Sequence, residues 1–215
     1  MALLDIHTHG MGNPSGIFNG FPAETGQSQP FSLGIHPWYL KENWNQEISE
    51  IEKHSEDSNL YAIGECGFDS LKGPGEKLQL EAFTAQAQIA KKYRLPVILH
   101  CVKGLHLLQQ FLKEDKNPPV IIWHGFNQKV AIGQSLLPFP VYFSFGEALF
   151  REGSNAQKWL KECPMDRIFF ETDTSEKNIS SIYEQASLIL GLPVQTLERQ
   201  VKKNWKKISK RRIDE

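Results

Sequence analysis

Short apolar runs recur along the chain, and each ends in a polar or charged residue. Continuous hydrophobicity over so few residues is typical of β-strands buried on both faces, as parallel strands are. The pattern therefore predicts eight strands, at Leu3–His9, Gly16–Phe21, Phe31–His36, Leu60–Phe68, Pro96–Cys101, Val120–Phe126, Val141–Gly146 and Arg167–Asp173.

Between the later runs, apolar residues recur with the spacing of one helix face, as core-facing helices require. The alternation of strand and helix predicts an α/β protein with a parallel sheet, and eight strands predict a (β/α)8 TIM-type barrel. We treat residues 1–215 as a single domain of this kind. The five predicted helical stripes begin at Leu80, Leu105, Ala156, Ile179 and Leu197.

The first quarter of the chain does not fit a complete barrel. A parallel crossover needs a dozen or more residues, and most such barrels need about 250 in all. The links Gly10–Ser15 and Pro22–Pro30 are short and rich in Gly, Pro and Ser. We therefore expect a barrel that is distorted and shortened in this region.

Composition changes this picture little. The chain is 40% hydrophobic and 23% charged, with a net charge of -1, so nothing in the overall balance attracts nucleic acid or a membrane. Seven basic residues are concentrated between Val201 and Arg212. This C-terminal helix either helps to hold a polyanion or presents a solvated face.

The N-terminal residues show neither the basic region nor the long apolar run of a signal peptide, and no segment is long and apolar enough to span a membrane. We therefore expect a cytoplasmic protein. We also expect a monomer, and no obligate protein partner can be read from the sequence. The three cysteines Cys66, Cys101 and Cys163 form no C-x-x-C pair. We expect structural, free thiols, with Cys66 and Cys101 turned towards the packed side of their strands.

Histidine supplies the candidate chemistry, because five of the seven histidines end strand-like runs. In the segment Asp5-Ile6-His7-Thr8-His9, His7 and His9 project from the same face of an extended strand. Both imidazoles can therefore reach one metal ion.

Four further strand ends carry compatible ligands: Glu65, His100, His124 and Asp173. A charged or imidazole group after several apolar residues is costly to bury unless it is paired or bound to a ligand. In parallel barrels the C-terminal ends of the strands form the active-site face. The sequence therefore predicts a metal centre at that face.

Imidazole and carboxylate without thiolate suit zinc, manganese, magnesium, nickel or iron. The number of these ligands exceeds what one catalytic zinc needs and suits two ions, which together activate water and clamp the reacting oxygens. Asp173 is the natural general base, with one oxygen on metal and the other taking the proton. Glu171 shares its face deeper in the strand and is expected to orient a ligand.

Seven motifs, in this order, resemble those of the TatD-like family of metal-dependent deoxyribonucleases, which belongs to the amidohydrolase-type barrels. They are Asp5-x-His7-x-His9, Gly34-Ile35-His36-Pro37, Gly64-Glu65-x-Gly67-Phe68-Asp69, the strand ending at His100, His124-Gly125-Phe126, Ser144-Phe145-Gly146 and Glu171-Thr172-Asp173, with a weaker echo at Asn204.

The resemblance implies a 3′-exonuclease-like phosphodiesterase acting on single-stranded DNA or small phosphoesters. It implies that His36 lines the substrate pocket and contacts phosphate, although His36 also suits a simple turn held by Pro37. The metal ligands that it implies, with Glu65 bridging two divalent ions, are His7, His9, Glu65, His100, His124 and Asp173.

Three departures from the family concern the substrate. The usual Arg two residues after His100 is Val102, and Lys103 offers only a point charge for phosphate, or a solvated loop residue. Gln128 replaces a usual glycine, and Thr174 replaces the Pro-aromatic pair after Asp173. The metal ligands are thus complete while the substrate contacts are reduced.

These departures leave two other functions open. One is hydrolysis of an amide, lactone or acyl ester at the same metal centre, because barrels of this kind host many reactions. The other is a non-catalytic protein that retains the metal site. A further question concerns a set of aromatic residues that either stacks on nucleobases or covers the barrel: Phe18, Phe21, Trp38, Tyr39 and Trp44.

Overall fold

The computed structural model describes residues 3–10, 13, 15–21 and 29–212. Eight strands form one sheet in which they follow one another in chain order. The strands are β1 (Asp5–Thr8), β2 (Gly16–Gly20), β3 (Phe31–Leu33), β4 (Leu60–Asp69), β5 (Val97–Val102), β6 (Ile121–Trp123), β7 (Val141–Phe145) and β8 (Ile168–Phe170).

The pairs β1–β2, β3–β4, β4–β5 and β7–β8 are parallel, and a parallel bridge joins Thr8 beside β1 to Asp173 beyond β8. A parallel sheet in this order with helices between its strands is the (β/α)8 barrel fold, so the predicted fold class and all eight strands are confirmed. The helices are α1 (Asn45–His54), α2 (Glu76–Tyr93), α3 (Leu105–Glu114), α4 (Val130–Leu136), α5 (Asn155–Glu162), α6 (Ile179–Leu190) and α7 (Val194–Ile208).

The shortened first quarter is also confirmed within the described residues. Only residues 9–15 connect the parallel strands β1 and β2, and the described residues between β2 and β3 contain no helix. Parts of both links, residues 11, 12, 14 and 22–28, lie outside the described residues. The first connection is therefore too short for the usual helical crossover.

The chain divides into two compact units. One consists of Met1–Phe18 and Trp123–Glu215, and the other of Asn19–Ile122. In the first unit, aromatic rings of Phe126, Phe143 and Trp159 pack together under β7 and α5. In the second, Phe83 of α2 lies between Phe68 of β4 and Phe111 of α3.

The cysteine prediction is confirmed. Cys66, Cys101 and Cys163 are free thiols, and all three are buried. Burial raises the pKa of the Cys101 thiol to about 12, and it also raises the pKa of Cys66 and Cys163. These groups therefore act as small apolar side chains in the core.

Strand β4 corrects one expectation. We expected Glu65 to end its strand, but β4 continues to Asp69 and all its residues are buried. The pairing of β4 with β5 shifts register between Ile63 and Cys66, and an irregularity of this kind redirects a side chain.

The glycines of β4 let the neighbouring strand β5 approach its backbone closely. A Cβ on Gly64 would lie 2.6 Å from the Ile98 carbonyl oxygen, and one on Gly67 would lie 2.1 Å from that of His100. Both glycines also have a positive φ, at 142° and 143°.

Candidate metal centre

In the first unit, four side chains from β1 and from the ends of β6 and β8 form what we call the β1–β8 cluster: His7, His9, His124 and Asp173. The Asp173 Oδ1 atom lies 3.6 Å from Nε2 of His7 and 3.5 Å from Nε2 of His9. The rings of His7 and His124 are 4.7 Å apart. His7, His124 and Asp173 each bring a ligand atom within 4.8 Å of the others.

The backbone of Asp173 is held against the first strand on both sides. Its N–H donates to the carbonyl of His7 at 2.9 Å, and its carbonyl accepts from the N–H of His9 at 3.0 Å. Asp173 has a φ of 52°, a left-handed conformation that Asp tolerates better than most residues. These contacts fix the carboxylate between the two histidines.

Glu171 lies beside His124 in the same unit. Its side chain is buried, and its Oε1 accepts a hydrogen bond from the backbone N–H of Gly125. The same oxygen is 3.6 Å from Nδ1 of His124. Glu171 is therefore placed to orient the imidazole, as a carboxylate behind a metal-binding histidine does.

Asp5 and Thr172 join the first and last strands of the sheet. The two oxygens of Asp5 accept hydrogen bonds from the Thr172 N–H at 3.0 Å and from its hydroxyl at 2.7 Å. Burial raises the pKa of Asp5 to about 6 even though these two bonds oppose the shift. Neither residue was assigned a role from the sequence, although both lie close to predicted ligands in the chain.

In the second unit, residues after β3 and within β4 and β5 form the β3–β5 cluster: His36, Glu65, Asp69 and His100. Glu65 Oε1 lies 2.7 Å from Nδ1 of His100 and 3.2 Å from Nε2 of His36. Asp69 Oδ2 is 3.2 Å from Nε2 of His100. His36, Glu65 and His100 are all buried and offer ligand atoms within 4.8 Å of one another.

Asp69 is a member of this cluster that sequence reasoning missed. Its Oδ2 accepts a hydrogen bond from the Trp38 indole at 2.6 Å, and its Oδ1 accepts from the N–H groups of Leu71 and Lys72. Burial alone would raise the pKa of Asp69, but these hydrogen bonds outweigh it and hold the pKa below its ordinary value. The available signal was its position at the end of the Gly-Glu-x-Gly-Phe-Asp segment.

Lys103 is exposed and follows β5 directly, with a φ of 54°. Its carbonyl accepts a hydrogen bond from the Ser70 hydroxyl. A role in binding phosphate therefore stays a prediction, and so does the choice between that role and a solvated loop.

The donor atoms of the β1–β8 cluster fit a divalent cation. Two ligands on one tetrahedral zinc, each about 2.1 Å from the ion, lie about 3.4 Å apart. The separations between Asp173 and the two histidines match this value. In the β3–β5 cluster, Glu65 and His100 lie at hydrogen-bonding distance, so an ion there would take the place of a shared proton.

Comparison with known proteins finds two curated relatives. A Buchnera aphidicola protein described as an uncharacterized metal-dependent hydrolase is 32% identical over 66% of this chain and 55% of its own length. A 3'-5' ssDNA/RNA exonuclease TatD from a Rahnella strain is 30% identical over 66% of this chain and 56% of its own length. The chain thus spans little more than half the length of these curated relatives.

A solved structure shows the same fold. YjjV, a TatD homologue from Escherichia coli K12, superposes with a TM-score of 0.79 over 97% of this chain and 98% of its own, at 18% identity. None of the helices in the described part of the chain has the length and apolar character needed to cross a membrane. The profile of the family described as TatD related DNase matches residues 23–210, and the chain therefore belongs to this family.

Proposed function

We propose that this chain is a two-metal phosphodiesterase that removes nucleotides from the 3′ end of single-stranded DNA or cleaves small phosphoesters. The observation that carries the proposal is the position of Asp173 Oδ1. This atom lies 3.6 Å from Nε2 of His7 in β1 and 3.5 Å from Nε2 of His9 just after it, a spacing that suits ligands of one ion. Membership of the TatD family and the exonuclease activity ascribed to the Rahnella relative support nucleic acid as the substrate.

In this proposal each cluster holds one divalent cation. The proposed ligands are His7, His9, His124 and Asp173 in the β1–β8 cluster, and Glu65 and His100 in the β3–β5 cluster. Zinc, manganese, magnesium and nickel all suit the imidazole and carboxylate donors. When bound, such ions stabilise negative charge on the phosphoryl oxygens and make water a stronger nucleophile near neutral pH.

Asp173 is the proposed general base. Its carboxylate is 36% exposed, so it is open to water, and one of its oxygens faces the two histidines. The other oxygen is then available to take the proton from the attacking water. The two backbone hydrogen bonds to β1 keep the carboxylate in this position.

His36 is the proposed phosphate contact. Its Nδ1 accepts a hydrogen bond from the backbone N–H of Trp38 at 3.1 Å, so in the neutral ring Nε2 carries the hydrogen. An Nε2–H group donates to oxygen and does not coordinate metal. His36 therefore suits a carboxylate or phosphate oxygen better than a metal ion, in agreement with the role that the family implies.

The decisive experiment is an assay on 3′-labelled single-stranded DNA with manganese, magnesium, zinc or nickel restored, beside lactone and acyl-ester substrates. We expect release of mononucleotides, and a fall in kcat of about 100-fold or more for Asp173→Asn because a positioned base contributes that much. Asp166→Asn is the matched control, since Asp166 is exposed and pairs with Lys207.

Two results would reject the proposal. If no metal supports nucleotide release while a lactone or acyl ester is hydrolysed, the enzyme acts on carboxylic esters or amides and not on phosphodiesters. If Asp173→Asn keeps full activity on DNA, Asp173 is not the base.

A further inference from the structure

Two aromatic side chains stand exposed beside the β3–β5 cluster. Trp38 and Tyr39 are 43% and 55% exposed, and both follow His36 directly in the chain after Pro37. An aromatic residue that covers a core is buried, and these two are among the most exposed large apolar side chains described. They therefore need another explanation.

The Trp38 ring is held in a fixed position. Its indole N–H donates to Asp69 at 2.6 Å, and the Lys72 ammonium lies 3.9 Å from the ring centre. The backbone N–H of Lys72 also donates a hydrogen bond to Asp69. Because its rotamer is already fixed, Trp38 loses little conformational entropy when a ligand stacks against it.

Both rings lie next to the histidines of the site. The Trp38 ring is 4.9 Å from the His36 ring and 5.8 Å from that of His100. The Tyr39 ring is 5.8 Å from the His36 ring and packs edge-on against Phe21 at 5.7 Å. A base stacked on either ring would therefore lie beside His36, the proposed phosphate contact.

We propose that Trp38 and Tyr39 form a platform on which one nucleobase stacks, with the Lys72 ammonium binding the adjacent phosphate. The inference rests on the proposed function in taking a nucleic acid as substrate, and it names the residues that recognise the base. Residues 1–200 carry a net charge of -6, which does not favour a long anionic strand. The platform accordingly holds one or two terminal nucleotides.

Binding tests this inference without relying on hydrolysis. A 5′-labelled thymidine dodecamer and the same oligomer with abasic sugars are titrated by fluorescence anisotropy into the metal-loaded Asp173→Asn protein, and the oligomers are checked for integrity afterwards. Aromatic stacking contributes enough for us to expect at least about fivefold tighter binding of the base-bearing oligomer.

In the same background, Tyr39→Ala should remove most of that preference and Tyr39→Phe should keep it. Lys72→Ala should weaken both oligomers equally and reduce the slope of log K against log salt by about 0.7, because one phosphate contact is lost. Tyr93→Ala is the matched control. Tyr93 at the end of α2 also has a lysine ammonium over its ring, at 5.1 Å, but lies before β5 rather than beside His36.

The outcomes separate this inference from the proposed function. If the wild type releases nucleotides but both oligomers bind equally, or if Tyr39→Ala keeps the preference, the platform is wrong and the nuclease stands. If base-dependent binding is seen but no nucleotide is ever released, the platform stands and the nuclease is wrong. Failure of the base-bearing oligomer to bind also rejects the platform.

Discussion

Asp69 and His100 are joined by a contact of 3.2 Å between Oδ2 and Nε2, on the side of the imidazole opposite to Glu65. If a metal ion replaces the proton shared by Glu65 and His100 Nδ1, this contact would hold the remaining ring hydrogen on Nε2 and keep Nδ1 directed at the ion. Asp69 is therefore a positioning residue for His100.

Replacing Asp69 should weaken metal binding without removing a ligand. We expect Asp69→Asn to lower metal affinity about 10- to 100-fold, the usual effect of losing a carboxylate behind a histidine ligand. Isothermal titration of the metal-free protein measures this change. Asp166→Asn should leave affinity unaltered, and an equal loss in both variants would mean that Asp69 has no special role.

Metal stoichiometry tests the assignment of His9. The wild type should carry two ions per chain by elemental analysis after equilibration, and His9→Ala should retain about one, because the β1–β8 cluster loses a ligand while the β3–β5 cluster is intact. His106→Ala is the control, since His106 is an exposed histidine that pairs with Glu76 away from both clusters. Two ions in His9→Ala would contradict the ligand set.

Removing the metal should lower thermal stability. An ion that binds only the folded chain stabilises it by about 2.7 kcal/mol when its concentration is 100 times Kd. We therefore expect the Tm to fall on treatment with a chelator and to recover when metal is restored, as followed by circular dichroism. The shift should be smaller in His9→Ala, and an identical shift would show that chelation acts elsewhere.

Gly133 in α4 is a packing residue whose replacement should destabilise the fold. A Cβ there would lie 2.4–2.6 Å from three atoms of the buried Trp159 indole. Overpacking of this kind costs about 1–3 kcal/mol, so the Tm of Gly133→Ala should fall by several degrees. Gly75→Ala meets no atom within 4 Å and should be nearly neutral.

The buried Cys163 thiol predicts loss of stability at alkaline pH. Burial raises its pKa above the ordinary 9.0, so as pH rises above 9 the unfolded thiol loses its proton while the folded one keeps it. Stability is therefore present below pH 9 and falls above it, by about 1.4 kcal/mol at pH 10 for one thiol. Urea denaturation at pH 7 and 10 should show a smaller loss in Cys163→Ala.

Gly133 also explains one limit of the sequence-based prediction. The eight strands and five of the helices follow from hydrophobic spacing, but α1 and α4 were missed. Helix α4 is short and contains Gly133, which weakens any helical pattern and is explained only by the indole of Trp159 on α5. Contacts between elements of this kind leave no periodic trace in either segment.

In the candidate site, too, contacts within one strand could be predicted from the sequence and contacts between distant elements could not. His7 and His9 could be paired from strand alternation alone, because two residues on one strand share a face. Asp69 and Trp38 could not, since they are 31 positions apart and meet only through tertiary packing. The shift of register in β4 also had no counterpart in its apolar pattern, so Glu65 was placed at a strand end.

Asp5 and Thr172 are 167 positions apart, yet two hydrogen bonds join them beside the β1–β8 cluster. A nascent chain that has emerged from the ribosome only through β7 contains His7, His9 and His124, but lacks the residues that close the sheet against them. Long-range contacts of this kind form late because their loop must close first. We therefore expect this cluster to be completed as a metal site only after β8 and Asp173 have joined β1, so that metal binding there would report completion of the fold.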